Sequence, residues 1–280
     1  MDVSRHSKWR TPQTRHCGFP VVKSRDGMSN RLLAALPASD LDLLEPELDT
    51  IVLDQDAVLS RAGDEIEYVV FPHRGAITLM IDMADGHTVA TAAIGREGAV
   101  GMLSVLGPSP SATTAIVRAA GTASRIPASR FLGVFNRSPA IRRMVQNHVK
   151  AMLMQFQLGL ACNALHPVEA RMARWLLQLR DRVDHDALPL TQQALSQMLG
   201  VRRTTVTLLM RKLRERGAIR SDRRGLIEID RRQLAAAACE CHQTMRLEVE
   251  EIFSASSDPS RAPVLLEDER TQGRKSGNVR

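Results

Sequence analysis

Residues 190–219 read LTQQALSQMLGVRRTTVTLLMRKLRERGAI, two short apolar-striped helical patterns that meet at Leu199-Gly200-Val201. Two helices that cross steeply need apolar or small inner faces at fixed offsets and a glycine in the turn. Leu195, Leu199, Val201, Val206 and Leu209 supply that inner face, Ser196 is the small residue at the crossing, and Gly200 is the turn. The second helix opens with RRTT, although the unpaired N–H groups of a helix start already make that end positive. Cations there cost stability unless something anionic meets them. The outer face of this helix holds Arg202, Arg203, Thr204, Thr207 and Arg211, and Thr205 of the same first turn is a further candidate contact.

Charge along the chain repeats the same message. Between Arg202 and Arg232 eleven Lys/Arg stand against four Asp/Glu, an excess equal to the +7 net charge of all 280 residues. A localised excess of this kind favours a polyanion as partner. Residues 219–229, IRSDRRGLIEI, read as two short strands around the turn at 222–225. That hairpin is a wing carrying Arg220, Arg223 and Arg224 toward phosphates or a minor groove. Arginine bonds guanine O6 and N7 together, and threonine contacts bases, the thymine methyl or phosphate. Thr191 and Gln192 are placed to anchor the first helix on the DNA backbone.

Upstream the hydrophobic period changes twice. Residues 29–48 show a short helical pattern with Leu32, Leu33 and Leu36, then Ser39-Asp40 capping Leu41, Leu43 and Leu44. Strand-like runs follow: TIVLDQ, AVLSRAG, IEYVVFP, GAITLMIDM, HTVATAAI and TTAIVRA, with Asp85-Gly86 as a hairpin turn whose two residues need positive φ. Many short strands at this spacing suggest a barrel or sandwich. Ser138-Pro139 then starts a long helix striped by Ile141, Val145, Val149, Met152, Phe156 and Leu160, whose length favours pairing with its twin in a dimer over packing on its own barrel. His166-Pro167 ends it, Val168 to Leu179 form another amphipathic helix, and HDALPL is a loop. Asp230 with Gln233 resembles a capping box that starts a helix reaching Phe253. The expected division is a disordered extension at 1–28, a strand-rich barrel or sandwich at 29–137, a dimerisation helix at 138–165, a winged helix-turn-helix at 166–234, and a C-terminal helix with a disordered tail at 235–280.

The order of strands, long helix and winged helix-turn-helix resembles the Crp/Fnr family of bacterial transcription regulators, from about 29 to 234, with LTQQALSQMLGVRRTTVTLLMRKLRERGAI as the most specific segment. The resemblance implies an α+β chain: a β-roll or jelly-roll domain like those that bind cyclic nucleotides, a dimerisation helix and a winged helix-turn-helix. It further implies a homodimer on double-stranded DNA, at a palindromic operator with half-sites one helical turn apart, and RNA polymerase as partner if the protein activates. Many relatives carry Arg-Glu-Thr-Val at the recognition-helix start with another arginine two residues on; here Arg203-Thr204-Thr205-Val206 is followed by Leu208. Arg203 keeps the guanine reader, but the acid that could accept from cytosine is a threonine, so the target should differ from the familiar consensus.

The effector region departs as well. Members that bind cyclic nucleotides hold the phosphate with a Gly-Glu pair and a later arginine. Gly95, Glu97 and Gly98 loosely match the first part, Thr113 stands where the arginine is expected, and Arg96 and Thr114 complete the candidate effector residues. Loss of that cation counts against a cyclic nucleotide, although Arg96 or Arg118 could substitute. Oxygen-sensing members use an N-terminal cysteine cluster; only Cys17 is present there, so no iron–sulfur centre is expected. The remaining cysteines are Cys162, Cys239 and Cys241, too few and uneven for a disulfide framework. Cys239-Glu-Cys-His242 would lie on one helix with its cysteines pointing apart, so no metal is expected. With no apolar run long enough to span a bilayer and no secretory h-region, a cytoplasmic protein without catalytic residues is expected. Two alternatives stand: a cupin-like enzyme holding a metal on His73 and His87, and an architectural DNA binder without ligand.

Overall fold

The computed structural model describes residues 29–107, 109–183, 185–221 and 225–256. The termini expected to be disordered, and Arg223 and Arg224 of the wing, lie outside the described residues. Helix α1 (Arg31–Ala34) is capped by Asn30, whose side-chain oxygen accepts from the Leu32 and Leu33 N–H groups. The Asn30 amide also donates to the carbonyls of Pro72 and Gly98, both at 2.9 Å, tying the helix to the sheet. Helix α2 (Ala38–Leu41) has Pro37 at its N-cap position, at least two residues earlier than the sequence suggests, so Ser39-Asp40 lies inside it and does not cap it. Asp40 instead accepts from the Ser138 hydroxyl.

Five antiparallel strands form the β-roll: β1 (Asp49–Leu53), β2 (Val58–Ser60), β3 (Tyr68–Asp82), β4 (Thr88–Ile94) and β5 (Thr114–Pro127). Their order is β1-β5-β3-β4, with β2 also on β5. The runs 66–72 and 75–83 are one strand, because Pro72-His73-Arg74-Gly75 forms a bulge and not a turn. Gly75 has φ +93°, and a Cβ on Gly121 of β5 would sit 2.1 Å from the Arg74 carbonyl oxygen. The two strands touch only because both positions lack a side chain. In the β3–β4 turn only Gly86 takes positive φ, and the loop spans five residues closed by Met83 N–H on the His87 carbonyl at 2.8 Å; the two-residue turn at Asp85-Gly86 is therefore not formed.

A short helix unforeseen in the sequence, α3 (Ala128–Arg137), precedes α4 (Pro139–Leu165). Ser138 caps α4 by accepting from the Ile141 N–H at 3.0 Å, and Pro139 sits in the first turn. Ile141, Val145 and Met152 of the expected stripe are buried against this chain's own β-roll. Leu160, the last residue of that stripe, is instead 75% exposed; Leu153, seven residues earlier on its face, and Leu165 at the helix end are exposed too.

Beyond Pro167 follow α5 (Val168–Val183), β6 (Ala187–Pro189), α6 (Gln192–Leu199), α7 (Arg203–Glu215), β7 (Ile219–Ser221), β8 (Leu226–Ile229), α8 (Arg231–Ala237) and α9 (Cys241–Ser256). The stretch HDALPL is not wholly loop: β6 pairs with β8, giving a sheet β6-β8-β7. Asp230 caps α8 through the Gln233 N–H at 2.9 Å. The helix then breaks, because Ala238 is extended at φ −81°, ψ 157°. Cys239 and Cys241 therefore do not point apart on one helix; with Cys162 they form a small buried cluster.

One apolar core joins the two halves. Ala76, Met80, Ala90, Ala93 and Ala119 on the sheet pack with Leu176, Leu195, Leu199, Val206 and Leu213 of the helical half. Arg182 of α5 reinforces the contact by donating to the Ala93 carbonyl at 3.0 Å and pairing with Glu97 at 2.6 Å.

Candidate nucleic-acid interface

The joint between α6 and α7 is built by Gly200, at φ 65° and ψ 38°, where the N–H groups of Gly200 and Val201 return to the end of α6. Ser196 does more than fill the crossing: its hydroxyl donates to the Val201 carbonyl at 2.7 Å, fixing the turn. Leu195, Leu199, Val206 and Leu209 are buried and Val201 is partly so. Val206, Leu209, Met210 and Leu213 form one apolar face of α7, which leaves the other outward.

At its free end α7 has no side-chain cap and no acid in its first turn. Arg202, Arg203, Thr204 and Thr207 are exposed there, with Thr205 half-buried. Steps of four place Arg203, Thr207 and Arg211 on one face. Unpaired N–H groups, two guanidinium groups and the Thr204 hydroxyl thus give this end a concentration of donors for phosphate oxygens and base edges. Thr207 donates within reach of both the Gln192 side-chain oxygen at 2.9 Å and the Arg203 carbonyl at 3.1 Å. That bond orients Gln192 and keeps its amide NH2 as a donor. Thr191 caps α6 by accepting from the Ala194 N–H at 3.1 Å, leaving its hydroxyl proton to donate outward.

Not every cation of the basic stretch serves this face. Lys212 and Arg216 pair with Glu169 of α5 at 3.5 and 2.6 Å, and Arg211 faces Glu215 at 3.5 Å. Arg214 donates to the Ser221 hydroxyl at 3.3 Å, bracing the wing strand. Arg220 is exposed on β7 opposite Glu228. Counting charge in sequence overstated the free excess, because Glu169 lies outside the counted window.

The effector residues do not form one site. A cavity of about 600 Å³ opens between the sheet and α4, lined by side chains such as Ile81, Val89, Met102, Met152, Phe156 and Trp175. Thr113 reaches it, but Thr114 is occupied, accepting from the Ala62 N–H at 3.1 Å and donating to Asp82 at 2.9 Å. Gly95 and Glu97 face α5: Glu97 pairs with Arg182, and a Cβ on Gly95 would meet the Arg182 side chain at 2.6 Å. Arg96 and Glu97 line a separate cleft beside α9. Arg118 is buried on Asp56 and Thr78, away from the cavity lining. Arg174, missed in the sequence, is the one cation on the described lining. His148 also lines the cavity, and burial pushes its imidazole down to about 4.

His73 and His87 do not come together as a metal site. His73 is buried on the Ser124 hydroxyl at 2.8 Å, whereas His87 is exposed at the β3–β4 turn beside Asp85. No described helix is long and apolar enough to cross a membrane.

Comparison with known proteins matches residues 50–138 to the cyclic nucleotide-binding domain and residues 170–237 to the Crp-like helix-turn-helix domain. No curated protein matches the chain. Among solved structures, FixK2 from Bradyrhizobium japonicum is similar at TM-score 0.58 and 16% identity, over 69% of this chain and 98% of that one. A transcriptional regulator of the Crp/Fnr family from Eubacterium rectale gives TM-score 0.60 at 15% identity, over 74% and 96%. The c-di-GMP responsive global regulator CLP of Xanthomonas campestris gives 0.58 at 16%, over 69% and 99%. At these identities the structures speak for the fold.

Proposed function

The chain belongs to the Crp/Fnr family of transcription regulators, and from that premise we propose that it is a cytoplasmic homodimer reading a two-fold symmetric DNA site under control of a small effector. The carrying observation is the uncapped, acid-free start of α7, where Arg202, Arg203, Thr204 and Thr207 stand exposed. In this reading Arg203 contacts a guanine, Thr204 and Thr205 approach neighbouring bases, and Arg202, Thr191 and Gln192 hold phosphates. Arg220, with Arg223 and Arg224 beyond it, reaches the next phosphates. Arg211 contributes once the DNA outcompetes Glu215.

Exposed Leu153 and Leu160, seven residues apart on one face of α4, support the dimer, since large apolar residues repeated along a helix favour a covering surface. The cavity supports an effector less anionic than a nucleotide: its lining is apolar apart from Ser, Thr and Asn groups, His148 and Arg174. An activator of this arrangement would also touch RNA polymerase. Selection of bound fragments from a genomic library, with and without cell extract, tests the reading. A palindromic motif whose recovery changes with extract is expected; recovery without sequence preference would overturn it in favour of an architectural binder.

A further inference from the structure

Three cysteines and a histidine from distant parts of the chain meet where α4 ends. Cys162 lies in the last turn of α4 and His166 is its C-cap; Cys239 and Cys241 flank the break between α8 and α9. The four donor atoms lie within 4.8 Å of one another. Cys162 Sγ is 3.5 Å from Cys239 Sγ, and Cys241 Sγ is 3.6 Å from His166 Nδ1. A tetrahedral zinc with sulfur at about 2.3 Å and nitrogen at about 2.0 Å sets neighbouring donors roughly 3.5–3.8 Å apart. The Cys162–Cys239 and Cys241–His166 pairs match that spacing, and the remaining pairs lie within 4.8 Å. An iron–sulfur cluster would need its thiolates spread around several irons, and these are too close together.

The surroundings fit as well. His166 Nε2 lies 3.1 Å from Glu240 Oε1, so a carboxylate orients the ring with Nδ1 toward the sulfurs, the usual support for a ligating histidine. Three thiolates, an imidazole and a divalent ion carry a net charge of about −1. Arg174 is 2% exposed beside Cys162, its Nε has no hydrogen-bond partner, and among the described residues no carboxylate pairs with it. A buried cation needs an anion, and the ligated site supplies one.

We infer that Cys162, His166, Cys239 and Cys241 bind one thiophilic divalent ion of the zinc type, in a closed structural site. All four positions are filled by protein, which leaves none for catalysis. The ion cross-links the end of α4 to the loop that starts α9, one residue before Pro167, from which the helix-turn-helix half departs. It thereby fixes α9 along α4 and stiffens the joint between sensor and DNA-binding halves.

The test uses the full chain, purified under reducing conditions without chelator. About one zinc per chain is expected by elemental analysis, and exchange with Co²⁺ should give sulfur-to-cobalt charge transfer and intense tetrahedral d–d bands. Cys239→Ser and Cys241→Ser should lose the metal, while Cys17→Ser keeps it. The cobalt spectrum of the unmutated chain decides the matter should a variant fail to fold. Substoichiometric zinc with no cobalt bands overturns the inference. So does an iron–sulfur spectrum, or a Cys162–Cys239 disulfide in the reduced preparation.

Discussion

Arg182 on α5 and Glu97 in the loop after β4 form a 2.6 Å ion pair, both side chains at least 85% shielded from solvent. The pair locks the helix-turn-helix half onto the β-roll, and Arg182 also donates to the Gln178 and Ala93 carbonyls. Glu97→Gln removes the negative partner and leaves a shielded guanidinium uncompensated. A loss of about 3 kcal/mol is expected, toward the lower end for a broken buried pair because two carbonyls remain. Urea unfolding of the variant against the unmutated chain measures it; unchanged stability would show that the pair contributes nothing.

The Gly121 position tests the bulged crossing of β3 and β5. Gly121→Ala drives a methyl to 2.1 Å from the Arg74 carbonyl oxygen, a backbone atom that cannot rotate away. A cost of about 3 kcal/mol or more is expected, as for overpacking that displaces backbone. Gly63→Ala serves as control, since its Cβ would meet nothing within 4 Å and only the φ of +90° opposes it. That change should cost about 1 kcal/mol. Thermal melts of the two variants give the comparison.

His148 makes stability depend on pH. Burial holds its imidazole near 4 in the fold, with Glu97 and the Ala99 backbone opposing the shift, against 6.5 in the unfolded chain. The unfolded state therefore binds the proton first. Stability from this group is full above about pH 6.5 and is lost as pH falls toward 4, by about 3 kcal/mol in total. His148→Gln should flatten the stability profile across that window. An unchanged slope would mean the ring is already solvated.

Leu160 is 75% exposed in the single chain. Leu160→Glu should therefore leave monomer stability within about 0.5 kcal/mol while shifting the chain from dimer to monomer. Sedimentation equilibrium reads the second effect and unfolding the first. A variant that stays dimeric removes this face from the interface.

How much of this was legible in the sequence depended on the distance over which each signal acts. Gly200 between Leu199 and Val201, and Ser138 before Pro139, are local signals, and the helix ends fall where they indicate. Pro72 to Gly75 also gave a local signal, for a turn, but the facing Gly121 lies far along the chain and makes it a bulge in a continuous strand. The grouping of Gly95, Arg96 and Glu97 with Thr113 failed for the same reason, since Arg182 draws Glu97 to α5. The cysteine cluster depends on Ala238 breaking a helix whose alanines favour continuation, and on Cys162, 77 residues upstream of Cys239. Periodicity reports neither. A cysteine and a histidine four apart at one helix end, with Cys-x-Cys elsewhere, was the available hint.

The DNA-reading role of α7 is tested most directly by equilibrium binding of the unmutated chain and Arg203→Ala to the selected operator and to single-base variants of it, across a range of salt. The expected result is a loss of about 1–3 kcal/mol at the operator, with discrimination relaxed at one base position in each of two symmetric half-sites. Arg220→Ala should instead weaken all sequences alike and reduce the salt slope by about one. Equal weakening of every duplex by Arg203→Ala, or no binding by the unmutated chain to any duplex at low salt, would contradict the account.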